Sequence, residues 1–188
     1  MLVECGFSRV TTLEGVEYSF TPSFGRIAAL GTPHEIVALF AGLHGPNAAQ
    51  DATYVLACLC DQEDPTPLIG WREPGTWREG AMPPAMKIIL ARHLMTHGIA
   101  GKARPDAKGE GKYSDRFDVA EYVSAARVHL GLSSADAEAL SMTEFQSMFA
   151  MKYPKAGDGE GSRDVPTRDQ YEAAMATFEE RRSGNQGR

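Results

Sequence analysis

Thr32-Pro33-His34-Glu35-Ile36-Val37-Ala38-Leu39-Phe40-Ala41-Gly42-Leu43 decides the class of fold. Thr32 can cap a helix, Pro33 suits its first position because that N–H has no helical partner anyway, and Glu35 stands where a capping box needs it. Ile36, Val37, Leu39, Phe40 and Leu43 then form a broad apolar face that ends near Gly45-Pro46. A helix with such a face must bury it against other elements.

Upstream, Leu2 to Val10 and Val16 to Phe20 are rich in β-branched and aromatic residues, with Glu14-Gly15 between them as turn chemistry. A lone hairpin is marginal in water, so it must pack on the helices. Pro22 to Leu30 reads as a short helix stopped by Gly31. Downstream, Asn47 is placed to cap a helix running to about Cys60, with Ala52, Val55, Leu56 and Leu59 inward. Residues 61–84 break the pattern with five prolines and three glycines. Pro84 to His97 is a helix terminated by Gly98, and 99–116 is an exposed loop or hinge. Val119, Val123, Ala126 and Leu130 follow helical spacing up to Gly131; Ser133 caps a short helix, and Ser141 with Glu144 caps another.

The predicted fold is mainly α: a multi-helix core with a small N-terminal β-hairpin and a semi-independent helical C-terminal part. Its divisions are 1–98 for the hairpin and helical core, 99–116 for the hinge, and 117–153 for a helical segment. A Gly-rich linker at 154–166 and a C-terminal helix at 167–188, bearing Tyr171, Met175 and Phe178 and frayed at its end, complete the chain.

A length of 188 residues with 43% hydrophobic and 23% charged content suits a globular chain. The formal net charge is −6, and residues 1–61 carry six acids against two bases. An acidic surface repels phosphate, which disfavours nucleic acid and anionic membranes as partners. Apolar stretches such as Met86 to Leu90 are far shorter than a membrane span, and the first residues lack the basic segment of a signal peptide. Cys5, Cys58 and Cys60 make no disulfide framework, which points to a reducing cytoplasm.

His93 and His97 share a helix face as metal ligands would, but Leu94 stands where a zinc protease needs its glutamate. Cys58 and Cys60 could add thiolates, yet two residues along a helix turn their side chains about 200° apart. The simpler reading makes Met86, Ile89, Leu90, His93, Leu94 and His97 one stripe bordering the core. Gly-Asp-Gly-Glu-Gly at 157–161 lacks the Lys-Ser/Thr of a phosphate loop, and no serine sits in a Gly-x-Ser-x-Gly elbow. Leu130-Gly131-Leu132-Ser133 resembles the turn of a helix-turn-helix, but the helix after it is acidic and carries no base. The expectation is no catalytic constellation, no metal site and no cofactor.

Two features suggest protein binding. Trp71 and Trp77 lie in a near-duplicate, Trp71-Arg72-Glu73 and Trp77-Arg78-Glu79, where aromatics beside arginine serve as interface anchors or pin a long loop. Met142, Phe145, Met148 and Phe149 line one face of the helix that Ser141 begins, with Met151 to the side. Methionine-rich faces adapt to varied apolar partners, although the same spacing also fills cores.

From Asp118 the order Gly131-Leu132, Asp136, Leu140-Ser141 and Glu144-Phe145 resembles the tail assembly chaperones of tailed bacteriophages. Pro22-Ser23-Phe24 and Gly31 to Val37 are similar to a phage-encoded family without an assigned function; the hairpin and the tryptophan loop lie outside the chaperone motif. The resemblance implies a chaperone in the host bacterial cytoplasm that keeps a long, helix-prone tape-measure protein soluble until tail-tube subunits polymerise round it. It also implies absence from the mature virion. The tail tube protein is a second candidate partner, and self-association into a homo-oligomer is a further expectation. Met142, Phe145, Met148 and Phe149 are the expected contact face, with Trp71 and Trp77 as further candidates. The alternative is a structural tail-completion or connector component of the virion.

Overall fold

Thr32 Oγ1 accepts from the Glu35 N–H at 3.4 Å while the Glu35 carboxylate accepts from the Thr32 N–H at 2.8 Å, the reciprocal cap expected of this stretch. The helix it starts, α2, spans Pro33–Gly42. The computed structural model containing it describes residues 5–73, 76–102 and 114–154, without the side chains of 72–77. Met1–Lys152 form one compact unit and Tyr153–Arg188 a second. The linker and the C-terminal helix expected at 154–188 therefore fall, after Pro154, outside the described residues.

The fold is mainly α with a small N-terminal hairpin. Strands β1 (Ser8–Thr11) and β2 (Glu17–Phe20) pair antiparallel, Val10 facing Tyr18. The five-residue connection is closed by Thr12 N–H to the Val16 carbonyl at 2.8 Å. The first strand starts later than the sequence suggests. Gly6 has φ +94°, and a Cβ there would lie 2.3 Å from His97 Cβ, so the chain bends over that histidine before it can extend. Beyond the hairpin, Phe20 bridges antiparallel to Cys60, Thr21 N–H donates to the Leu59 carbonyl, and Asp61 N–H donates to that of Ser19. These bonds tie the hairpin to the end of a helix.

That helix, α3 (Ala48–Leu59), buries Ala52, Val55, Leu56 and Leu59 completely, as its spacing requires. Asn47 precedes it but makes no side-chain capping bond. The short α1 (Phe24–Ala28) begins at Ser23 and points Phe24 and Ile27 inward. Residues 61–84, read from sequence as broken, contain one helical turn, α4 (Thr66–Ile69), and a second hairpin. Trp71–Glu73 (β3) pairs with Thr76–Arg78 (β4), so the near-duplicate sequence is two strands facing each other.

Helix α5 (Pro84–Met95) lies against α3 and runs on past Gly98 as a π-helical turn, Thr96–Ala100. The sequence reading stopped it at Gly98. Instead Gly98 is buried in the helix, where a Cβ would meet Ile27 Cδ1 at 2.7 Å, and the chain turns at Gly101 with φ +73°. Glycine serves close packing at one position and reversal at the other. After residues 103–113, which are not described, α6 (Val119–Ala125) also ends in a π turn, Ala126–Leu130, reversed by Gly131 in the left-handed region. Helix α7 (Ser134–Ala139) is capped by Ser133, and α8 (Met142–Lys152) by Ser141 and Glu144.

The helices after the hinge share the core of those before it. Phe24 of α1 stacks on Tyr122 of α6 at 5.8 Å and meets Phe145 of α8 edge-on at 6.1 Å, while Phe117 stacks on Tyr122 at 4.9 Å. Phe24 N–H donates to the Leu140 carbonyl and Phe117 N–H to that of Pro33, closing the join on both sides.

Candidate protein-binding surface

The stripe read along α5 divides in the structure. Leu94 faces the core, whereas Met86 and Ile89 are 54% and 60% exposed, and Leu90 and His93 are half-buried. On the helix's other side Lys87 is buried, its Nζ donating to the Ile69 carbonyl at 2.8 Å, and Arg92 donates twice to the Leu43 carbonyl at 2.7 and 3.0 Å. Lys87 thus satisfies the carbonyl of the last residue of α4 and Arg92 that of Leu43, the residue capping α2, groups left without a helical partner at a helix end. Burial holds the Lys87 ammonium below the usual lysine range, with Glu79 opposing that shift.

The outer stripe of α5 faces the first hairpin across an apolar trough of about 720 Å3. Val10, Val16 and Tyr18 form the hairpin wall, Met86, Ile89, Leu90 and His93 the helix wall, and Leu68 and Met82 complete the lining. Leu13, at the hairpin tip, is fully exposed. A small-molecule site encloses most of its ligand. Here the lips are themselves open to solvent, so the trough suits the face of a larger partner.

The expected contact face on α8 splits as well. Met142 and Phe145 are 3% and 8% exposed and belong to the core, because α8 lays that side against Phe24 and Tyr122. Phe149 is half-buried, 5.7 Å from Phe145 and 5.9 Å from the His129 ring. Met148, at 36%, and Met151 are exposed. In this arrangement only the outer edge of the face is open to solvent. Trp71 is exposed on β3; the Trp77 side chain lies outside the described part.

His97 is held in place by α8. Its Nδ1 lies 2.8 Å from the hydroxyl of fully buried Thr143, and the Gln146 side chain bridges the Ala100 carbonyl and the Lys102 N–H. Burial first, then His93 and Lys102, keep the His97 imidazole below its ordinary value. The His93 and His97 rings pack edge-on at 4.6 Å, and no cluster of three His, Cys, Asp or Glu able to hold a metal occurs among the described residues. Burial also pushes the Cys58 and Cys60 thiols up, away from the reactive thiolate. Arg26 pairs with Asp61 at 3.1 Å and donates to the Cys60 carbonyl, locking α1 to the end of α3. No helix of the described residues is long and apolar enough to cross a membrane.

Compared with known protein families, the chain matches a family of unknown function, DUF6246, over residues 44–173, well over half its length. The chain belongs to the DUF6246 family. No curated protein and no solved structure matches it. The DUF6246 match takes in α3, α5 and the Asp118–Phe145 segment, and begins after the first hairpin. The helix wall of the trough therefore lies in the family region and the hairpin wall outside it. Sequence reasoning missed the trough because its two walls are some seventy residues apart along the chain. The only local trace was the width of the α5 stripe, apolar on more sides than one core contact requires.

Proposed function

We propose that this DUF6246 protein is a non-catalytic binding protein, a tail assembly chaperone of a tailed bacteriophage that keeps the tape-measure protein soluble in the host cytoplasm. The observation that carries the reading is the open trough between hairpin and α5, with Leu13, Val16, Met86 and Ile89 presented to solvent. Surface of this kind costs solubility unless a partner covers it. An apolar helix laid along the trough would place side chains one turn apart against Met86, Ile89 and His93, which stand one turn apart on α5. The methionines adapt to varied side chains, as a holder of a long and irregular apolar helix requires.

Two further features support it. The Asp118–Phe145 segment carries the order that resembles the chaperones. Arg26, Lys87, Arg92 and His97 serve the fold's own carbonyls and side chains, which fits binding without chemistry.

The test is affinity capture of the tagged chain from infected cells, beside an Ile89→Asp variant. Co-purification of a very long helical phage protein that Ile89→Asp abolishes, with the bait absent from finished particles, is the expected result. A bait found in mature virions beside tube or connector subunits would make the protein a structural component instead.

A further inference from the structure

The lining of the trough is uneven in charge. Among the described residues its lining holds one carboxylate, Glu14, exposed at the hairpin turn beside Leu13. The neighbouring carboxylate Glu17 is neutralised by Arg9 at 3.2 Å, and neither of that pair lines the trough. On the opposite wall the lysine and arginine of α5, Lys87 and Arg92, are turned away to the Ile69 and Leu43 carbonyls. The apolar trough therefore has a negative end at the hairpin tip, on a segment already acidic over residues 1–61.

We propose, resting on the trough's being the binding site, that its occupant is an amphipathic helix with Lys or Arg at one end of its apolar stripe. Glu14 receives that cation and so fixes which way the helix lies. The apolar stripe supplies affinity and the charge supplies direction, since exposed ion pairs add little binding energy but penalise the wrong sign. A second copy of this chain docking through α5 would bring neither Lys87 nor Arg92 to Glu14, because both donate to backbone carbonyls of their own chain.

The test uses the full chain and three labelled synthetic helices with one Leu/Met stripe, carrying Lys, Gln or Glu at one end of it, read by fluorescence anisotropy. The Lys helix should bind roughly 2- to 5-fold more tightly than the Gln helix and the Glu helix more weakly. Glu14→Lys should reverse the order, and about 1 M salt should erase it by shortening the screening length to roughly 3 Å. Equal binding of all three, unchanged by Glu14→Lys but abolished by Ile89→Asp, overturns the charge selection and leaves the trough as the site. Binding of none, with capture from infected cells intact in Ile89→Asp, removes the trough as well. A dimer in sedimentation that Ile89→Asp converts to monomer assigns the trough to a second copy and also overturns the proposal.

Discussion

Replacing Phe145 by alanine separates core from contact surface on α8. Phe145 is 8% exposed and meets Phe24, Tyr122 and Phe149 at centroid distances of 6.1, 5.9 and 5.7 Å. A buried Phe removes roughly 150–250 Å2 from water and adds about 0.5–1.5 kcal/mol per aromatic pair. At about 25 cal/mol/Å2 the area alone is worth roughly 4–6 kcal/mol. Measured Phe→Ala losses of about 3–5 kcal/mol allow for partial collapse of the cavity, so about 4 kcal/mol is expected. For a unit of this size that lowers Tm by roughly 8–16 °C. Met148→Ala, on the same helix but partly in solvent, should shift it by about 2–4 °C at most. Thermal melts followed by circular dichroism, with urea midpoints as a check, read both variants. A Phe145→Ala loss within about 1 kcal/mol of the parent would refute the packing argument and return Phe145 to the contact face.

Gly98→Ala should cost about 1–3 kcal/mol, since its Cβ would press on Ile27 at 2.7 Å; a melt unchanged within error would mean that α5 can shift freely there. Arg26→Met should destabilise by roughly 1–2 kcal/mol, a figure held down because the Asp61 pair is about one-third exposed; a double-mutant cycle with Asp61→Asn measures the ion-pair share. His97 has a folded pKa below its unfolded one, so the unfolded chain binds the extra proton. The stabilisation is full above the unfolded value of about 6.5 and is lost as pH falls through it toward the folded pKa. Urea midpoints should decline from pH 7 to pH 5 and decline less in His97→Gln; parallel slopes would refute the assignment. Ile89→Asp and Leu13→Asp should leave Tm within about 2 °C, because both side chains are exposed, while abolishing capture of the helical partner.

Local signals in the sequence determined the helices whose ends and faces are set within a few residues. Thr32 with Glu35, Ser133, and Ser141 with Glu144 each cap the helix that follows, and Ala52, Val55, Leu56 and Leu59 face inward because helical spacing puts them on one side. The tertiary structure decided everything that depends on residues distant in the chain. Gly98 reads as a stop until Ile27 is seen against it. The Met142, Phe145, Met148 and Phe149 face reads the same whether it packs inward or meets a partner, and only Phe24 from α1 and Tyr122 from α6 determine that its first half is core. The trough exists only because a hairpin at residues 8–20 folds back beside a helix at 84–95. Periodicity records that a residue is apolar and which way it points along its own element; what it points at is set by the packing of elements far apart in sequence.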